Sequence, residues 1–161
     1  MDVKPEALKT MLMAKSLFEK ARDLCLSEDT YSASCGLVIL QDALELVVYA
    51  CLVQQGVAER MNLDRKSFPE LLGELKKSGA KLIRSDKLKA LNKQRVLIKH
   101  YGQPAEPKTV REYWSVAWKA TNTLLRDVID KGLDGLAVEG LLEDGESKNK
   151  LIEARQRIEN G

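Results

Sequence analysis

The sequence predicts an all-α protein, an up-and-down bundle of about five helices followed by a C-terminal tail helix. Three observations support this. Apolar residues recur at steps of three and four along most of the 161-residue chain. No segment of length alternates apolar and polar residues between turn signals, so strands are not expected. The connections between periodic segments are short, which favours helices packed against their neighbours in sequence.

The first helix follows Pro5, a residue tolerated in a first turn, and its stripe is Leu8, Met11, Ala14, Phe18, Ala21 and Cys25. It ends near Ser27-Glu28-Asp29. Asp29 or Thr30 then caps a second helix, Tyr31 to Gln55, with Gly56 as its stop. That helix is apolar on most of its circumference between Leu37 and Val53, the mark of a central helix with neighbours on several sides. A short third helix opens with a capping box at Ser67-Phe68-Pro69-Glu70 and closes at Gly79. The fourth runs from about Asp86 to Tyr101 and stops at Gly102. A second capping box, Thr109-Val110-Arg111-Glu112, opens the fifth, whose stripe is Val110, Trp114, Ala117, Thr121, Leu124 and Val128 before Gly132. Residues 1–132 thus form one bundle. Residues 133–161 form a tail that Gly135, Gly140 and Gly145 divide into short pieces carrying Leu133, Leu136, Val138, Leu141 and Leu142, with a last helix over Lys148–Glu159. The tail leucines suit docking either on the bundle or on a protein partner.

Composition removes several classes of function. Cys25, Cys35 and Cys51 are widely spaced and His100 is the lone histidine, which argues against a zinc site of Cys and His type. Reduced cysteines packed in helices suit a cytoplasmic protein. No secretory signal is expected from the first residues, and Gln41, Asp42 and Glu45 interrupt the most apolar run, so no membrane span is expected. No glycine-rich phosphate loop, nucleophile elbow or metal-binding helix motif occurs, and no cofactor is expected.

Charge is unevenly spread. The chain carries a formal +2, yet residues 76–100 hold nine basic side chains against Asp86 alone, a net of +8. A cationic quarter in a near-neutral chain is a candidate phosphate-facing surface, with Lys87, Lys89 and Lys93 as candidate nucleic-acid contacts. Arg95, at the heart of this block, falls on the apolar stripe of its own helix with Leu88, Leu91 and Ile98. An arginine there needs a carboxylate partner or a wet, charged cleft. Val96 and Leu97 make the helix apolar on a second side, as when a helix meets both its own core and a second subunit. His100 lies five residues further on, about 140° round an ideal helix. The two side chains meet only if the helix frays at His100 or if a two-fold axis brings two copies together. A histidine in a last turn also serves as a partner for the free carbonyls there. The fifth helix carries Trp114 and Trp118 at four-residue spacing, which reads as core or interface packing rather than a base-stacking platform.

Arg95-x4-His100, with Lys99 before the histidine and Tyr101-Gly102 after it, resembles the signature of HEPN domains. Leu40-Gln41-Asp42-Ala43-Leu44-Glu45-Leu46 with its apolar continuation to Gln55-Gly56 is similar to that family's long second helix. Phe68-Pro69-Glu70-Leu71-Leu72 and Leu91-Asn92-Lys93-Gln94-Arg95 resemble its later helices, so the likeness spans most of residues 6–131. The resemblance implies a small α-bundle that forms a homodimer. It also implies a metal-independent endoribonuclease of the kind found in toxin–antitoxin, phage-defence and RNA-processing systems. Arg95 would then stabilise charge on phosphate and His100 would move protons, because an imidazole takes up and releases protons near neutrality. Glu45 would orient His100 or pair with Arg95, with Asp42, Lys99 and Tyr101 in support. The resemblance equally admits a non-catalytic dimer that binds a nucleic acid, a nucleotide or a protein, and Val96 favours that alternative because active members carry a polar residue directly after the arginine.

Overall fold

The computed structural model describes residues 2–141 and 146–160, and every regular element among them is helical. In chain order these are α1 (Pro5–Cys25), α2 (Thr30–Gln54), α3 (Phe68–Lys77), α4 (Ser85–Tyr101), α5 (Pro107–Ile129), two single 3-10 turns at Leu133–Gly135 and Val138–Leu141, and α6 (Glu146–Asn160). Their starts follow from local chemistry. Asp29 accepts the Ser32 N–H at 2.7 Å and caps α2, and its carboxyl is held below the usual range by those bonds to Ser32. The Ser67 N–H donates to Glu70 at 2.7 Å in the capping box that opens α3.

Boundaries of α5 and α6 differ from the sequence expectation. α5 opens at Pro107, two residues before Thr109, because the proline presets the first-turn dihedral and needs no partner for a missing N–H. The Thr109–Glu112 box therefore lies inside the first turn and is not used as a cap. α5 also stops at Ile129, with Asp130 in the left-handed region at φ 60°, rather than running on to Gly132. α6 is longer than Lys148–Glu159 at both ends.

α2 is the hub and packs against α1, α3, α4 and α5. Val47, Val48, Ala50, Cys51 and Leu52 are all within 1% of complete burial, and near-consecutive positions point to every side of a helix. α2 is long and apolar enough to cross a membrane by length and composition, but its apolar surface is this bundle's own core. Against α1 it comes unusually close. A Cβ at Gly36 would sit 2.6 Å from the Cys25 nitrogen and 2.8 Å from the Leu24 carbonyl carbon. Cys25 and Cys51 are both buried, and burial pushes both thiols up to about 12, so neither is a nucleophile. Cys35 is exposed.

The start of the tail docks on the bundle. Leu133 and Leu136 are buried, the Leu133 N–H donates to Asn122 of α5 at 3.0 Å, and Lys15 of α1 donates to the Leu136 carbonyl at 3.0 Å. Val138 is exposed. The Leu141 side chain, Leu142 and Gly145 lie outside what the structure describes.

Candidate functional site

α4 is attached lightly. Of its seventeen residues only Leu88 and Leu91 are fully buried. Arg95 follows four residues after Leu91, so the helix carries its side chain into the same seam against α2. The partner waiting there is Asp42. Arg95 Nη2 donates to Asp42 Oδ1 at 2.9 Å, with the arginine side chain 19% exposed and the aspartate 47%. Arg95 Nε is buried and has no partner among the described residues.

One turn earlier on α4 a second polar contact crosses the seam. Gln41 Nε2 donates to Asn92 Oδ1 at 2.9 Å, and more loosely to Glu45 Oε2 at 3.5 Å. Gln41 is fully buried, and its Oε1 is also without a partner. Each unsatisfied buried polar atom costs about 1–3 kcal/mol. Two of the three such atoms among the described residues, Gln41 Oε1 and Arg95 Nε, lie in this seam around one ion pair; the third, Thr121 Oγ1, is on α5. Gln41 and Asn92 were not foreseen as site residues. For Gln41 the signal was present, since it interrupts the most apolar run of the chain; Asn92 carried none.

The expected residues divide into two groups. Asp42 and Arg95 are brought together. Glu45 is on the same side of α2, half-buried, but it bonds Gln41 and neither pairs with Arg95 nor orients His100, because Asp42 already takes the guanidinium. His100, Lys99 and Tyr101 are exposed at the other end of the helix, Tyr101 by 70%. The His100 side chain has no hydrogen bond or ion pair among the described residues. α4 is unbroken through Tyr101, so fraying does not bring His100 round to Arg95. Within one chain they stay about 140° apart.

His100 instead shares a strip with two lysines. Lys89, Lys93 and His100 stand at spacings of four and seven, with Leu97 between the last two, and all four are exposed. Lys87 is exposed on another side of the helix. His100 is not needed as a cap either. Gly102, at φ 63°, gives its N–H to the Ile98 carbonyl at 3.1 Å, and the Gln103 N–H takes the Leu97 carbonyl at 3.2 Å. Behind them the linker is pinned to α2, where Ser34 Oγ accepts the Ala105 N–H at 2.9 Å.

The chemistry available on this face is phosphate binding by lysine and proton transfer by imidazole, with the Arg95 guanidinium round the helix in the α2 seam. No group of three or more His, Cys, Asp or Glu side chains among the described residues could hold a metal ion. Trp114 and Trp118 lie on a different face of the bundle, partly buried and stacked on each other. Comparison with known proteins finds no matching family model, no matching curated protein and no matching solved structure.

Proposed function

We propose that this chain is a metal-independent endoribonuclease of HEPN type that acts as a homodimer through α4. The observation that carries this reading is the exposed Lys89–Lys93–His100 strip on the same helix as an arginine that a carboxylate holds in place. An exposed histidine with no structural partner, in line with two lysines, is placed as a group that meets a phosphodiester would be. The 140° between Arg95 and His100 in one chain explains why two chains are needed. A two-fold axis near the end of α4, on the side between Arg95 and His100 that Val96 and Lys99 occupy, would set Arg95 of each chain toward His100 of the other.

In that cleft one imidazole takes the proton of the 2′-hydroxyl as it attacks phosphorus. The second gives a proton to the leaving 5′-oxygen, and the products are a 2′,3′-cyclic phosphate and a 5′-hydroxyl. Arg95 donates to the phosphorane oxygens, where a permanently charged fork is worth most. Asp42 sets the orientation of that fork. Lys89 and Lys93 hold flanking phosphates, and Lys99 and Tyr101 border the cleft.

Incubation of the protein with total RNA and with tRNA in EDTA tests this, alongside Arg95→Ala and His100→Ala. The expected result is cleavage by the wild type alone, with cyclic-phosphate ends. A second reading is favoured by the ion pair itself. A guanidinium already satisfied by Asp42, next to apolar Val96, is also what a non-catalytic HEPN dimer that binds nucleic acid, nucleotide or protein would keep. Absence of cleavage with binding lost in Arg95→Ala and retained in His100→Ala would establish that reading instead.

A further inference from the structure

A second nucleic-acid surface lies away from α4. Trp114 and Trp118 stack with ring centroids 5.9 Å apart and planes inclined by 21°. Phe18, itself buried, meets both edge-on at 5.9 and 6.3 Å and so locks the two indoles from behind. The rings are only partly buried, and they open onto a cleft of about 490 Å³ that Glu19, Arg22 and Asp134 border. Trp118 and Asp134 also line an adjoining cleft of about 250 Å³, with Lys119, Arg126 and Ile83. The two clefts share Trp118 and Asp134 and so run on from one another as a groove along α5, from α1 to Ile83 just before the basic helix α4.

The charges in this groove are unspent. Arg22, Lys119 and Arg126 are exposed, and none makes an ion pair or side-chain hydrogen bond among the described residues. Lys119 and Arg126 are seven residues apart and therefore on one strip of α5. Fixed aromatic faces with free cations along the same track are the features that hold a single strand, by stacking bases and neutralising phosphates. An apolar ligand would leave those cations unused. Asp134 fits the same occupant, since a carboxylate beside a stacked base accepts from its amino edge.

From this juxtaposition, and against the core or interface packing that the tryptophan spacing alone suggests, we propose that the Trp114–Trp118 groove is a binding site for single-stranded RNA, separate from the α4 face. The choice of RNA as ligand rests on the functional reading above; the site itself does not use Arg95 or His100.

The chain has two tryptophans, so intrinsic tryptophan fluorescence reports on this groove alone. The probe is a twelve-nucleotide 2′-O-methyl RNA of mixed sequence, which lacks the attacking hydroxyl and cannot be cleaved by that route. Titration into the full-length protein should quench the emission, after inner-filter correction, with an affinity that falls as salt rises. The Lys119→Ala/Arg126→Ala variant removes two exposed, unpaired side chains and should fold normally. It should weaken binding at least tenfold and flatten the log–log salt slope by about 1.4, the value for two single-strand phosphates. Glu19→Gln should bind more tightly than wild type. No quenching, quenching unchanged in the double variant, or binding seen by anisotropy without quenching would each overturn the proposal. Because the probe is inert to cleavage, quenching without nuclease activity would support this groove while refuting catalysis. Cleavage without quenching would do the reverse.

Discussion

The two flanks of α2 are built on opposite rules. On the α1 side the contact is dry and close, with the α1 stripe from Leu8 to Cys25 buried throughout and Gly36 letting backbone approach backbone. On the α4 side the same helix presents Gln41, Asp42 and Glu45 to Asn92 and Arg95, and two buried polar atoms are left without partners. The first flank follows what stability asks for. The second works against it, since each orphan costs more than a neutral hydrogen bond returns. A layer that is expensive to keep, on the helix that also carries the exposed basic strip, is where function is to be sought.

The largest effect should come from breaking the dry flank. Gly36→Ala puts a methyl against the Leu24–Cys25 backbone, which cannot rotate away as a side chain could. Overpacking of this kind costs about 3 kcal/mol, at the upper end for a single added methyl. Urea unfolding should show the midpoint falling with an unchanged slope. A loss below about 1 kcal/mol would mean that the two helices separate easily and that the contrast between the flanks is weaker than drawn.

The polar flank should respond in the opposite sense to two related changes. Gln41→Ala removes the donor of the 2.9 Å bond and leaves Asn92 Oδ1 facing a void, at an expected cost of about 2 kcal/mol. Replacing both partners, Gln41→Leu/Asn92→Leu, removes the bond and the Gln41 orphan together, and should fall within about 1 kcal/mol of wild type or exceed it. Chemical denaturation of the pair measures this directly. If the double variant is the less stable one, the seam is a structural network and loses its claim to be a functional compromise.

Much of this was legible in the sequence, and the reasons are specific. The α1 stripe from Leu8 to Cys25 is buried at every position, because a one-sided period of three and four has only one way to face a core. Arg95 on an apolar stripe demanded a partner, and a carboxylate two helices away supplies it. The choice between Asp42 and Glu45 was not legible. Both stand on one side of α2, and the rotation of α4 that selects Asp42 is set by Leu88 and Leu91 in tertiary packing. The start of α5 was misread for a related reason, since Thr109-x-x-Glu112 satisfies the capping pattern but Pro107 nucleates first. The Trp114–Trp118 groove was hidden because Arg22, Phe18 and Asp134 reach it from distant parts of the chain.

A smaller effect on stability is expected from the ion pair. Asp42 is nearly half exposed, so solvent screens its attraction to Arg95, and Asp42→Asn should cost less than about 1 kcal/mol. On the nuclease reading, its consequence for RNA should be larger than its consequence for folding. With the carboxylate gone the guanidinium loses its fixed orientation, and cleavage should fall while binding of the uncleavable oligonucleotide holds or strengthens. Equal losses in both assays would reduce Asp42 to a structural brace.

The smallest change in stability, and the sharpest test of where function resides, is His100→Ala. The imidazole is exposed, has no partner among the described residues, and is spared capping duty by the Gly102 and Gln103 amides. Its removal should leave the unfolding midpoint within about 0.5 kcal/mol of wild type. A drop of about 1 kcal/mol or more would restore it to the role of helix cap and take away its freedom to act on a substrate. With the midpoint unchanged, the nuclease reading requires that the same variant lose all cleavage. The gap between a silent melt and a lost activity is what separates a side chain kept for chemistry from one kept for the fold.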